Sequence, residues 1–364
     1  MNKKSLMLAL ILSIALESTC SPADAEYSTL YDAIHSSGAI RDYVLNATEQ
    51  ITSNLGTMTT GTLTIDGTEE NHYGILGKYN NNQYSGVTVN SGSTLVIKNI
   101  GHADVNYETG QVTYTSGNAI ESFKKSGGGA IYNNGILTLD DVIFYGNNAN
   151  NNLGSSVYNN GHITSFTGKM INGQNGAAIY TKGADAVIDY IEADFINNSG
   201  TSHGGAINVE TNAKILNINK SNFIGNVAKS SGGAIRLNMS STMNTGSEIT
   251  INNSLFRYNS ARQGGAIQNG NASTTTINNS SFDKNYSINR DSSTKTGGGG
   301  AIYNDGDLFL TDTNFTNNAT TYEGGQYMLP YINLILQVLL IYLQKKKMYY
   351  LQTIYQRLQV FHIV

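Results

Sequence analysis

The sequence predicts an all-β protein, a single right-handed parallel β-helix of roughly 12 rungs. Three observations carry that expectation. Two short motifs alternate along the chain, the segments between them alternate polar and apolar residues, and no proline occurs from residue 26 to 325. A proline-free stretch of that length suits a backbone whose amides are nearly all engaged in sheet ladders.

The first motif is Gly-Gly-Ala-Ile. Gly128-Gly129-Ala130-Ile131 recurs as Gly204-Gly205-Ala206-Ile207, Gly232-Gly233-Ala234-Ile235, Gly264-Gly265-Ala266-Ile267 and Gly299-Gly300-Ala301-Ile302. Looser copies stand at Gly176-Ala177-Ala178-Ile179 and Gly154-Ser155-Ser156-Val157. The second motif is Phe-x-x-Asn: Phe144/Asn147, Phe195/Asn198, Phe223/Asn226, Phe256/Asn259, Phe282/Asn285 and Phe315/Asn318. Units follow one another at 22 to 35 residues, the spacing of a stacked-repeat architecture with inserts in the longer units.

Stretches such as "GILTLDD", "SEITINNS" and "DLFLTDT" have the period-two pattern of short strands. Three such strands per ~25-residue unit bury no core alone, but coiled one above the next they stack their inward side chains. The motif Ile is expected to face inward, since the residue after it is mostly polar (Tyr132, Tyr180, Asn208, Arg236, Gln268, Tyr303). Gly-Gly marks a corner where the backbone turns unusually or a neighbouring coil comes close. The Phe fills the interior, and the Asn holds a turn and forms a ladder along the axis. Near the start, Leu30, Ala33 and Ile34 in "YSTLYDAIHSSG" share one helical face, as a cap over the first rung would.

These two motifs together resemble the repeat of the chlamydial polymorphic outer membrane proteins and related autotransporter passengers. The opening "GTLTIDG…SGVTVNSGSTLVIKNI" is similar to the first rungs of such passengers, so the resemblance covers about residues 27 to 325. It implies a surface-displayed β-helix, often adhesive, carried through the outer membrane by a C-terminal β-barrel.

The ends read differently. Residues 1–25 have the form of a secretory signal: Lys3 and Lys4, the apolar run Leu6 to Leu16, and Ala23-Asp24-Ala25 before Glu26. Its removal takes away Cys20, the one cysteine, so no disulfide can staple the exported chain. At the other end all 39 glycines precede residue 326. Residues 326–364 form an aberrant tail outside the repeat. Gly-Gly-Ala-Ile-Tyr written GGA-GGG-GCA-ATA-TAT becomes Gly-Gly-Gln-Tyr-Met on loss of one G, which is the sequence at residues 324 to 328. A frameshifted continuation of the repeat is therefore expected there. The 39-residue tail is too short for a barrel, whose smallest form has eight spanning strands, so outer-membrane anchoring requires a barrel supplied otherwise.

Function follows by elimination and from what the resemblance implies. Residues 26–325 hold 16 Lys and Arg against 24 Asp and Glu, net −8, which argues against a nucleic-acid partner. A β-helix enzyme would need carboxylates converging from neighbouring rungs. The position three before the motif Phe holds Asp141, Glu192, Lys220, Asn253, Asn279 and Asp312, which offers a Glu192–Lys220 charge pair and no adjacent carboxylates. Asp140, Asp185 and Asp189 read as turn and surface residues. His35, His72, His102, His162, His203 and His362 share no spacing that would make a metal site or a nucleophilic triad. No cofactor is expected. The reading is an exported, adhesin-like, monomeric rod that binds a host-cell or extracellular-matrix component without catalysis, through the loops "RLNMSSTMNTGSE" and "YSINRDSSTKTGG". The alternatives are a polysaccharide lyase or hydrolase and a non-functional fragment of a broken autotransporter gene.

Overall fold

The computed structural model describes residues 27–125, 127–149, 153–210, 212–238, 246–288, 298–322 and 325–327. The leader, most of the tail and most of both candidate loops lie outside these residues.

The alternating segments form strands that stack in parallel, in register, one layer per turn of the coil. Following one column, Ile40, Thr62, Thr94, Ile136, His162, Val187, Lys214, Glu248, Thr274 and Asp307 occupy equivalent positions. That is ten layers rather than about twelve. The shortfall comes from four long turns: Thr62 to Thr94 and Thr94 to Ile136 take 32 and 42 residues, and Lys214 to Glu248 and Thr274 to Asp307 take 34 and 33. In the two early turns the extra length builds antiparallel hairpins, Lys78–Tyr79 with Asn82–Gln83 and Ala103–Asn106 with Gln111–Tyr114.

Three faces enclose the interior. A wide sheet of 17 strands carries the alternating segments and the Phe motif, a nine-stranded sheet carries the Gly-Gly-Ala-Ile motif, and a narrow sheet of six follows the Asn. In the middle layers one long strand, such as Val187–Ile196, spans the wide sheet. Below, it divides in two, as at Lys214–Asn219 and Asn222–Ile224. The inward positions Leu137, Leu139, Ile188, Ile215, Ile249, Ile251 and Ile277 are all buried in one continuous core.

The upper end is closed by the helix α1 (Leu30–His35), whose Leu30, Ala33 and Ile34 are buried as the sequence pattern requires. Thr29 caps it, its hydroxyl accepting the Asp32 N–H. The C-terminal end is held by Arg41, 2% exposed. Its guanidinium donates to the carbonyls of Ala33, Ile34, Ser36 and Thr60 at 2.9, 3.2, 2.6 and 2.5 Å. Carbonyls left over at a helix terminus attract a cation, which is why this charge is tolerated in a buried place.

At the other end the strand Gly325–Tyr327 turns back antiparallel on Ala319–Tyr322. The parallel pairing of the coil stops where the motif does.

Candidate binding surface

The motif residues divide the work of stacking. The first glycine of each pair lies at positive φ: Gly128, Gly204, Gly232, Gly264 and Gly299 at 66°, 52°, 60°, 66° and 69°. The second meets the next layer's backbone. A Cβ on Gly205, Gly233 or Gly265 would lie 2.3, 2.1 or 2.0 Å from the carbonyl oxygen of the glycine below, closer than any real contact. Ile131, Ile207, Ile235 and Ile267 point inward, at most 1% exposed, as do Ala206, Ala234 and Ala266. Ile302 and Ala301, in the last layer, are somewhat more open.

Phe195, Phe223, Phe256, Phe282 and Phe315 stack face over face, their centroids 4.6 to 4.9 Å apart. Higher up the stack changes form. Met170 takes the Phe position in the fifth layer, and Phe166 meets Phe144 and Phe195 edge-on at 6.3 and 5.9 Å.

The asparagines form the expected ladder. Asn198, Asn226, Asn259 and Asn285 each donate from Nδ2 to Oδ1 of the next, ending at Asn318, at 2.9–3.0 Å. Each Oδ1 also accepts the backbone N–H of the Asn above it. Every one of these amides further donates to a carbonyl of the Phe column, as Asn226 does to Phe195. The ladder has one gap, at Gly173, which separates Asn147 from Asn198. A second ladder, unforeseen, links Asn133 to Asn159 and Asn269 to Asn304 after the Ile motif.

The residue before each motif Asn, and before Gly173 in the gap, is left-handed: Gly146, Asn172, Asn197, Gly225, Tyr258, Lys284 and Asn317, at φ between 53° and 66°. Tyr258 and Lys284 pay for no obvious side-chain preference there. Their conformation is imposed by the layers on either side.

The column tested for catalysis proves to be a corner. Asp141, Lys220, Asn253, Asn279 and Asp312 all have φ between 45° and 51°, a conformation that Asn and Asp adopt more readily than most residues. Glu192 and Lys220 pair at 3.6 Å as expected. Asp189, read as a surface residue, accepts a 2.7 Å contact from His162 one layer away, with both side chains about four-tenths exposed. Among the described residues no three His, Cys, Asp or Glu side chains gather as a metal site would. No described helix is long and apolar enough to cross a membrane.

Along this corner runs an open groove of about 410 Å³, bordered by Lys220, Asn222, Asn253, Asn279, Ser281 and Asn314 among others. It ranges over four layers, for Asn222, Leu255, Ser281 and Asn314 are aligned one above another.

Beside the groove, the 103–114 hairpin lies across the wide sheet as a strap. It covers an apolar stripe formed by Ile143, Ile171, Ile196 and Ile224, with Tyr114 stacked on Tyr145 at 3.9 Å. Where the stripe ends, polar contacts take over. Tyr107 donates to Asp194 at 2.8 Å, Asn197 donates to the Gly110 carbonyl at 3.0 Å, and Arg257 reaches Glu108 at 2.6 Å.

The residues following the motif Ile are the other departure. Tyr132, Tyr158 and Tyr180 stack on one another, and below them Asn208, Arg236 and Gln268 are buried rather than solvated. Arg236 pairs with Glu210 at 2.6 Å. Burial pushes the Glu210 carboxyl up, but Arg236, with Tyr180 and Asn208, outweighs it and holds the group below its ordinary range. Burial, reinforced by Arg236, pushes the nearby His203 imidazole down to about 4.

Comparison with known proteins adds one finding. The family model described as the Chlamydia polymorphic membrane protein repeat matches residues 279–305. That span runs from the corner Asn279 through Phe282 and Asn285 to Gly299-Gly300-Ala301-Ile302, so it contains one copy of each motif. No curated protein and no solved structure matches the chain. The chain is thus similar to the polymorphic membrane proteins through this repeat, and it is built as a parallel β-helix.

Proposed function

We propose that this chain is a surface-exposed or secreted passenger of the polymorphic membrane protein type, which binds a host-cell or extracellular-matrix component without catalysis. It is exported by its leader, acts as a monomer, and meets the outer membrane only where a barrel is supplied. The observation that carries this reading is the use of the repeat. Glycine, phenylalanine and asparagine are spent on stacking the layers, and what varies from layer to layer is the outward surface and the inserts, where recognition is placed.

The test is saturable binding of the purified chain to cultured cells and to matrix-coated wells. Deletion of Met239 to Ser247 is expected to weaken it, and absence of saturable binding to either surface would end the adhesin reading. Release of uronates from pectin or alginate would support the lyase or hydrolase alternative instead.

A further inference from the structure

We infer that the corner groove is a binding site for an extended, neutral glycan chain laid parallel to the coil axis. This deepens the adhesin reading and rests on it. Four features of the groove select that ligand.

Its lining is amide and hydroxyl. Asn279 donates to Asn253 at 2.7 Å and Asn222 donates to Asp194 at 2.7 Å. Those bonds fix the two amides while leaving their own Oδ1 atoms without a side-chain partner among the described residues. Ser281 and Asn314 likewise keep their polar groups for a ligand. A row of fixed acceptors and donors suits hydroxyl groups, which offer both.

Its charge is wrong for a polyanion. The one cation, Lys220, is matched by Glu192 at 3.6 Å, and Asp312 lines the far end. A sulfated or uronate chain would meet net negative charge, which disfavours it.

Its apolar content is slight. Leu255 is the one aliphatic side chain in the lining, too little for a lipid tail or an amphipathic helix, which need a continuous apolar groove.

Its geometry is periodic. Side chains at equivalent positions, Asn222, Leu255, Ser281 and Asn314, recur once per layer, about 4.8 Å apart, and a straight chain of equatorially linked pyranose rings advances by nearly one layer per ring. Each ring then faces the polar groups of one layer, with alternate rings turned over. At the head of the groove, Asp194 accepts from Asn222 on one oxygen and from Tyr107 on the other, at 2.7 and 2.8 Å. Tyr107 is 40% exposed, an aromatic face within reach of a terminal ring. Aromatic rings with one polar end are well suited to such half-wet contacts.

The experiment is titration of the purified full chain with β-1,4-linked glucose and N-acetylglucosamine oligosaccharides of increasing length. Affinity is expected to rise roughly three- to tenfold per added ring, the equivalent of one or two net hydrogen bonds, and to level off near four rings, one per layer. Ser281→Tyr, which fills the middle of the groove, is expected to lower affinity at least about tenfold. Should that variant fail to fold by circular dichroism, Asn314→Ala in the exposed last layer is expected to lose roughly three- to tenfold. Tyr286→Ser, on the narrow face, should leave binding unchanged. Affinity independent of length, or unaffected by Ser281→Tyr and Asn314→Ala, overturns the proposal. Cell binding with no oligosaccharide binding overturns the groove while sparing the adhesin reading. Oligosaccharide binding with no cell binding supports the groove and removes the adhesin reading.

Discussion

The upper and lower halves of the coil reach the same architecture by different means. From the sixth layer down, one residue type per column suffices: Phe on Phe, Asn on Asn, Gly on Gly. Each of these side chains finds its partner in its own copy one turn away, so the motif is its own complement. The upper layers lack that economy. Their phenylalanine contacts are edge-on, their Asn ladder is broken at Gly173, and one of their turns, Thr94 to Ile136, takes 42 residues. To the shared strand pairing and core they add contacts that occur once each, namely α1, Arg41 and the strap. Repetition stabilises the middle of a solenoid, and an end has to be finished with something that does not repeat.

The comparison can be broken most severely in the lower half. Asn226→Ala removes two donations and two acceptances from a fully buried site. We expect a loss of about 3 kcal/mol in chemical denaturation. Asn147→Ala should cost about 1 kcal/mol less, because Gly173 gives Asn147 no amide partner below. Equal effects would show that the ladder adds nothing beyond its backbone contacts.

At the upper end, Arg41→Ala strips the α1 carbonyls of their donor. A loss of about 2 kcal/mol is expected, with hydrogen exchange accelerated in residues 30–44 and unchanged below His162. Acceleration throughout the coil would mean that the cap governs the whole stack.

Glu108→Ala tests the strap. The Glu108 side chain, at the tip, is 81% exposed, so its ion pair with Arg257 contributes at most about 1 kcal/mol. The clearer readout is faster proteolysis between Asn106 and Gln111, with little change in the melting temperature.

A further effect is acidic. The folded chain holds His203 at about 4 against an ordinary value near 6.5, so it binds fewer protons than the unfolded chain. Stability is therefore full above pH 6.5 and declines as pH falls toward 4. His203→Gln should flatten that decline in melting temperature measured between pH 7 and 4.5.

Much of this was legible in the sequence because the fold is periodic. The inward Ile, both glycine roles, the Phe stack, the Asn ladder and the helical cap each follow from residue type at a fixed offset. What stayed hidden is local to one layer or joins distant ones. Arg41 is a lone arginine whose partners lie on a helix and an adjoining turn. The strap's polar contacts reach the wide sheet 87 to 150 residues further along the chain, which no motif announces. Left-handed backbone at Tyr258 and Lys284 is set by neighbouring layers and not by those side chains. The layer count came out at ten because the two early hairpins and the two long later turns, Lys214 to Glu248 and Thr274 to Asp307, consume chain without adding a layer. The burial of Asn208, Arg236 and Gln268 stayed hidden because their residue types are polar.

Distances between spin labels measure the stacking directly. Labels at His162 and Asp307 lie 145 residues apart in sequence but five layers apart in the coil, and Thr94 and Asp307 are seven apart. At about 4.8 Å per layer, the account requires narrow distributions centred near about 24 and 34 Å. Broad distributions, or separations that do not increase with layer number, would contradict it.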